Sequence, residues 1–539
     1  MKRNRFFLFV AMLPALAMQA QTSYEAAAVL DADLNGTARY VGMGGAMSAL
    51  GADMSTMGTN PAGTALYRSW DAALSFGGNG VVQRTTSNSD RGRAFKTYGS
   101  FDNAGVVVAN KKSNTDALRF VNFGFNYRNV KRYKGKMGMA SNLGGQFSQT
   151  EQMVGQAWEN VGYIDYTSFD PKSPHNLYDI NYFKDFNYGW LTLLGAYADL
   201  MGIYAVKDEE GNILYDGGYA VEECWYTGSG SCNYSEVLSG GIDAYDFNLS
   251  FNLIDAVYLG ATFTLYDVDR RVESTYSEMF DGGNYTLQNF YRTAGSGYDL
   301  KLGVIVRPFA ESSFRFGVSA TTPTLYTLRD YNSAIISSHF SDGSGWTLDT
   351  FSEDAYGGDC YTDYTMTAPS KFNVSLGGTI GTSLALGAEY EYMNYGAMKL
   401  YYDNGMENRD MNAHTAENFC GQHTLRLGAE KTFGSFYTRL GYNYQAGDYK
   451  KDAWKMIPIN SVQTNTAYAN VKSTQNFTCG VGFHGDTFYV DAALLYSTQK
   501  SDFYPFVDIL NDVEAVGQMQ ATLLNRNLIK GMMTVGMRF

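Results

Sequence analysis

Residues 383–392 read SLALGAEYEY. In an extended chain Leu384, Leu386, Ala388, Tyr390 and Tyr392 share one face, and Ala385, Gly387, Glu389 and Glu391 share the other, because successive side chains of a strand point to opposite sides. An apolar face backed by small and acidic residues suits a strand with lipid on one side and a polar interior on the other. The same alternation sets Tyr245, Phe247, Leu249, Phe251 and Leu253 against Asp246, Asn248, Ser250 and Asn252. It also sets Val121, Phe123, Phe125 and Tyr127 against Asn122, Gly124, Asn126 and Arg128. A soluble sandwich alternates too, so the pattern alone leaves both architectures open.

The connections separate them. Working outward, strands are predicted near 70–86, 97–110, 118–133, 241–254, 257–272, 290–307, 313–325, 364–381, 383–400, 421–433, 435–448, 474–486, 488–501 and 527–539, about fourteen in all. Tight turns fall at Asp255-Ala256, Ala310-Glu311-Ser312, Gly381-Thr382, Gly434-Ser435 and Gly485-Asp486. Long links fall near 134–240, 326–363, 401–420, 449–472 and 502–526. Short turns alternating with long loops mark an outer-membrane barrel, with the turns periplasmic and the loops outside. The last strand places Ile529, Gly531, Met533, Val535, Met537 and Phe539 on one face and Lys530, Thr534 and Arg538 on the other. Ending on Phe539, it resembles the signal read by the barrel-assembly machinery. That machinery and outer-membrane lipids are therefore expected partners.

Ahead of the strands the chain changes character. Residues 42–63, GMGGAMSALGADMSTMGTNPAG, are Gly, Ala, Ser, Thr and Met with a single charge. Small residues let a backbone lie close to other backbone. Asn60-Pro61-Ala62-Gly63 is a turn signal, with Pro fixing φ and Asn and Gly tolerating tight geometry. A Gly-rich stretch followed by Asn-Pro-Ala-Gly just before the first strand resembles the hatch of the FadL/TodX family of outer-membrane transporters for long-chain fatty acids and other hydrophobic compounds. The likeness is best over 38–67. A second echo is Thr367-Ala368-Pro369-Ser370-Lys371-Phe372, expected to open a strand hairpin. The fold class expected is all-β: a transmembrane antiparallel barrel of about fourteen strands whose lumen is plugged by an N-terminal small-residue hatch. Its parts are a leader at 1–20, the hatch at 21–68 and the barrel at 69–539.

Composition fits this reading. The chain has 42 Tyr, 33 Phe and 58 Gly against 9 Pro, with only 18% charged residues. Tyr anchors at membrane interfaces, and Gly fits turns and crowded lumens. A net charge of −13 argues against nucleic acid as a partner, since phosphate binding needs a basic face. Lys2, Arg3 and Arg5, the apolar run from Phe6 to Leu16 and the small residues up to Ala20 form a secretory leader, with Gln21 expected as the first mature residue. Cys224 and Cys232 lie in a polar Gly/Ser-rich stretch and are candidates for a loop disulfide in an oxidising compartment. Cys360, Cys420 and Cys479 remain unassigned.

Residues 186–204 space Trp190, Leu193, Leu194, Tyr197, Leu200, Met201 and Tyr204 near a helical period. An amphipathic helix on the barrel mouth is expected. The family resemblance implies that Trp190, Leu194, Tyr197 and Met201 line a greasy landing groove; ordinary packing of a loop helix is the competing reading.

No nucleophile elbow, zinc-protease helix motif, phosphate loop or Cys-x-x-Cys pair is present, and the five His are dispersed. Neither catalysis nor a metal or cofactor is expected. A hydrophobic ligand needs an apolar pocket with a donor or cation at one end. Met43, Met47, Leu50, Met54 and Met57 are candidates to line it, Met being adaptable, with packing of the plug on the wall as the alternative. The resemblance implies passive uptake of a fatty-acid-like compound, with Asn60, Pro61, Ala62 and Gly63 closing the path. Two other readings stay open: a receptor for haem or aromatic hydrocarbons, and an adhesive or structural surface barrel.

Overall fold

The computed structural model describes residues 21–113, 116–145, 147–161, 180–185, 188–205, 219–223, 230–507 and 519–539. The leader at 1–20 and Cys224 lie outside the described residues.

Fourteen antiparallel staves close into one barrel. They are Asp71–Thr86, Arg91–Lys111, Leu118–Arg132 (carried on by Gly135–Asn142), Ser231–Leu253, Val257–Phe280, Gly283–Val306, Arg315–Thr321 with Leu325–Phe340, Cys360–Thr367 with Lys371–Ile380, Leu384–Asn394 with Lys399–Tyr402, Gly421–Phe433, Phe436–Ala446, Tyr468–His484, Phe488–Tyr504 and Thr522–Arg538. First and last strands pair from Asp71↔Arg538 to Thr86↔Leu523, so no edge is left along the seam. Trp70 and Phe539 exchange backbone hydrogen bonds at its foot, and their rings lie 5.7 Å apart.

The alternation decides which side meets lipid. Leu74, Phe76, Phe123, Phe125, Phe247, Phe263, Leu300, Leu302, Val374, Leu427, Leu494 and Val535 are exposed on the outer wall. Their neighbours in sequence, including Asn122, Asn126, Asp246, Asn248, Thr262 and Thr534, are buried inside. On the first strand the band runs from Ala72 to Val82. At about 3.3 Å per residue and a tilt near 40°, that span is about 25 Å tall, the thickness of such a band.

The strands run longer than the apolar alternation predicts. The fifth and sixth have 24 residues each, against about 10 needed to cross. Above the band the outer face turns polar, as at Arg271, Glu273 and Thr275, so the outward apolar signal fades while the ladder continues. The expected loop at 134–240 therefore shrinks to 143–230, between Asn142 and Ser231. Lys371, within Thr367–Phe372, begins the strand that pairs with Leu384–Asn394 as a hairpin. Pro369 has no N–H to give a ladder, and it splits one stave between Thr367 and Lys371.

The helix expected over 186–204 is short. It spans Trp190–Tyr197, and Asp199 at φ 56° turns the chain away into the strand Met201–Ala205. Trp190, Leu191, Leu193, Leu194 and Met201 are fully buried in a loop core with Phe183, Tyr276, Tyr285 and Ile336. A helix apolar all round is buried rather than amphipathic. Trp190, Leu194 and Met201 thus form no open groove, and Tyr197 packs edge-on to Trp346. Among the described residues no helix is long and apolar enough to cross a membrane.

Candidate functional site

Residues 21–67 lie inside the barrel and run from the loop end to the turn end. At the top, Thr22 caps the helix Ser23–Ala28. Tyr24 sits among Phe419, Tyr449 and Tyr468, with ring centroids 5.2–5.4 Å away, and its hydroxyl donates to Asn470 Oδ1 at 2.9 Å. Glu25 is held by Arg270 and by Lys455, the latter at 2.9 Å. Burial alone would raise the Glu25 carboxyl, but those two cations hold it at about 2. Farther down, Asp33 takes Lys131 at 2.9 Å, and Asn35 bridges Asp102 and Lys530.

The middle of the segment is a short helix, Ala38–Gly42, capped by Thr37. Gly44, at φ 64°, ends it where an L residue would be strained. A Cβ there would also meet backbone of the wall, Tyr442 N at 2.8 Å and Leu427 O at 2.9 Å. Arg39 grips Glu430 through two bonds of 2.9 and 3.0 Å. Glu430 also takes Arg439, which reaches Asp491, each at 2.6 Å. Arg426 ties Glu389 and Glu391 together beside Ser48.

The wall is shaped for this segment by inward-facing glycines. A Cβ at Gly441 would lie 2.1 Å from Gly44 N, one at Gly428 2.4 Å from Met43 O, and one at Gly260 2.3 Å from the Pro61 carbonyl carbon. Asn60 caps the turn Pro61–Leu66 through Ala62 N. The Thr64 hydroxyl donates to Asn248 Oδ1 at 2.6 Å and lies 2.8 Å from the Ser250 hydroxyl, and Asn122 donates to the Thr64 and Tyr67 carbonyls. Asn60, Pro61, Ala62 and Gly63 are all buried against the wall. These wall glycines were the residues that sequence reasoning missed. Their signal was present, as Gly at inward slots of otherwise regular strands.

Met43, Met47, Leu50, Met54 and Met57 are at most 8% exposed. The first three pack with Val81, Leu495, Leu528 and Met532, and the last two with Tyr67, Val107 and Tyr489. Among the described residues they take the packing role. The cavity lies higher, about 210 Å³ between the first helix, the link after Ala446 and the third strand. Tyr24, Tyr133, Tyr449, Tyr468, Phe503 and Leu524 line it, with Glu25, Asp31, Lys131, Arg132, Arg270, Asp448 and Arg526. Arg526 also lines a smaller void beside it, of about 30 Å³, and forms no ion pair or hydrogen bond among the described residues. Cys232 is buried and bonded to no other described cysteine; its expected partner Cys224 lies outside the described residues.

Burial, and then Asp31 across the cavity, push the Asp448 carboxyl up to about 8. The group lies outside the spanning strands. Between about pH 4, its ordinary range, and 8 the folded form keeps a proton that the unfolded chain gives up. Its contribution to stability therefore falls as pH rises through that window. Hydrogen exchange of residues 22–34 is expected to speed up from pH 6 to 9, beyond the intrinsic pH effect. Asp448→Asn should flatten that change; an unchanged profile in the variant would assign it elsewhere.

The wall beside this cavity is incomplete. The second and third strands pair from Asn103↔Arg128 to Lys111↔Phe120. Above Asn103 the second strand pairs only with the first. Above Arg128 the third strand and its continuation pair only with the fourth. The continuation packs on the first hairpin through side chains instead: Thr85 Oγ1 donates to Gly138 O at 2.7 Å, Ser87 Oγ to Ala140 O and Asn88 Nδ2 to Asn142 O at 2.8 Å, and Asn88 Oδ1 accepts from Ser141 Oγ and Asn142 N at 3.0 Å each. Gln83, on the first strand, and Lys131–Gly135, at the end of the third strand and the start of its continuation, both border the cavity.

The molecule is an outer-membrane β-barrel with its own N-terminal segment inside the lumen. Its fold is that of the FadL-type barrels. The Pseudomonas aeruginosa FadL homologue matches 94% of this chain and 99% of its own, at 11% identity and a TM-score of 0.50. The P. putida toluene transporter TodX covers the same shares at 10% identity and a TM-score of 0.47. No protein family profile matches the chain, and no curated protein sequence does.

Proposed function

We propose that the protein is a passive conduit for a hydrophobic compound across the outer membrane. The observation that carries this reading is the cavity of about 210 Å³, lined by aromatic and charged side chains and bordered by Lys131–Gly135, where the third strand has lost its pairing with the second. A water-filled pore would have no use for a filled lumen. A compound that prefers lipid can instead enter from the loops, rest in the cavity and leave sideways into the bilayer. Residues 38–67 serve as the hatch that keeps water and polar solutes from following.

Size bears on the ligand. A cavity of about 150 Å³ holds benzene, whereas elongated ligands occupy about 300–1,000 Å³. The present cavity therefore suits a single-ring hydrocarbon. An acyl chain would require the helix Ser23–Ala28 to withdraw. A fatty acid remains the second reading on one observation: Arg526 is a cation at the cavity wall that makes no ion pair or hydrogen bond among the described residues and has the more distant Asp33 carboxylate in its field. The same small volume weighs against haem, although Tyr24, Tyr133, Tyr449 and Tyr468 line the cavity and Tyr can serve as an axial ligand.

The test is accumulation of radiolabelled toluene and oleate in cells with and without the protein. Uptake of at least one is expected to rise severalfold with the protein present. Arg526→Gln should lower oleate uptake and spare toluene if the acyl reading holds. Equal accumulation of both compounds in both strains would remove the conduit.

A further inference from the structure

The outer wall of the first hairpin carries positive charge that no described residue answers. Arg84 and Arg93 are direct cross-strand partners, and both are exposed. Arg91, also exposed, is the partner of Thr86 one step above. On the other side Arg84 pairs with Asn525, whose next partner is the exposed Lys500. Like charges directly opposite one another destabilise a sheet. Here Arg84 and Arg93 form no ion pair or hydrogen bond among the described residues. Of the nearby acids, Asp502 is taken by Lys472 at 2.8 Å, and Asp90 in the hairpin turn pairs with none of them. This is a local excess of cations on a chain of net charge −13.

Their height is specific. Arg84 sits one cross-strand step above Val82 and Phe95, the last apolar pair of the band. Tyr496 lies on the same wall beside Ile529 and donates to Asn527 Oδ1 at 3.2 Å, where an aromatic marks the level of lipid headgroups. The long-loop side is the outer leaflet. Below the cations the wall is hollowed into an apolar groove lined by Val82, Phe95 and Ile529. Its floor is the cross-strand row Gly531–Gly78–Gly99.

We propose that this face binds one phosphate-bearing, multiply acylated lipid of the outer leaflet. Its phosphates bridge Arg84, Arg93 and Arg91, and an acyl chain lies in the groove beneath. Guanidinium groups bind phosphate through paired N–H donors. A bound polyanion also removes the cross-strand repulsion that the bare wall leaves.

The test uses the full-length protein extracted in detergent, native mass spectrometry and hexa-acylated diphosphoryl lipid A. Its dephosphorylated form and phosphatidylglycerol serve as comparisons. The wild type should retain one diphosphoryl lipid. R84Q/R91Q/R93Q should weaken retention on the order of a hundredfold, at about fivefold per interfacial cation. Removing the phosphates from the lipid should have the same effect. Gly78→Leu has open space for its side chain and leaves the charges in place; it should lower retention by filling the groove. Heat-modifiable migration of each variant reports that the barrel is folded. Retention unaffected by the triple substitution, or no retention by the wild type, would overturn the proposal. Equal retention of phosphatidylglycerol would overturn the preference for a multiply phosphorylated lipid.

Discussion

Gly260→Leu is expected to turn a sealed barrel into a conducting one. A Cβ at this position would lie 2.3 Å from Pro61 C, 2.4 Å from Ala62 N and 2.4 Å from Pro61 O. All three atoms are backbone, so no rotamer change relieves the clash. Overpacking a tight site costs about 1–3 kcal/mol. The turn it strikes is held by hydrogen bonds worth about 1 kcal/mol each, such as Ser319 Oγ to Thr59 O at 2.8 Å and Asn122 Nδ2 to Thr64 O at 2.8 Å. The Asn60–Gly63 turn should give way before the wall does, because the stave that carries Gly260 is paired along its length on both sides. In planar bilayers the wild type should show almost no ion current and the variant stable single-channel steps. Gly78→Leu, on the lipid side with nothing within 4 Å of its Cβ, is the control and should stay closed. A folded Gly260→Leu barrel that passes no current would show that the turn is not the seal.

Arg39→Met should free the middle of the plug. Arg39 makes two bonds to Glu430 and a third, at 2.9 Å, to the Ala52 carbonyl. Removing one partner of a buried pair costs about 3–5 kcal/mol when the other is left uncompensated. Glu430 keeps Arg439, and the Arg39 side chain is 20% exposed, so about 2 kcal/mol is the expected loss. That corresponds to roughly thirtyfold faster hydrogen exchange over residues 38–52. A double-mutant cycle with Glu430→Gln isolates the pair. Exchange rates within twofold of wild type would place the anchor elsewhere, with Thr534 Oγ1 on Ala38 N the next contact to remove.

The two predictions rest on features that differ in how far the sequence discloses them. Gly260 can be read in advance. It falls at an inward slot between Tyr258 and Thr262, where a missing side chain implies that something else occupies the lumen. Arg39 cannot, because its partner lies 391 residues away and no spacing announces it. The same holds for the loop helix. Trp190 and Leu194 have helical spacing, but their full burial follows from Phe183, Tyr276 and Ile336 closing around them. Met43 to Met57 were equally ambiguous. A thioether fits a ligand or a wall, and only the wall glycines decide in favour of packing.

Alternation is a local property: it repeats every two residues and follows from the geometry of an extended chain. The staves, their inner and outer faces and the sorting of turns from loops were therefore fixed by the sequence alone. The cavity was not. Tyr24, Lys131, Asp448 and Arg526 meet only because closing the cylinder brings its first helix, third strand, a late loop and last strand to one height. The lost pairing above Asn103 likewise depends on which neighbour a strand loses, and that is a relation between chain segments that no single stretch contains.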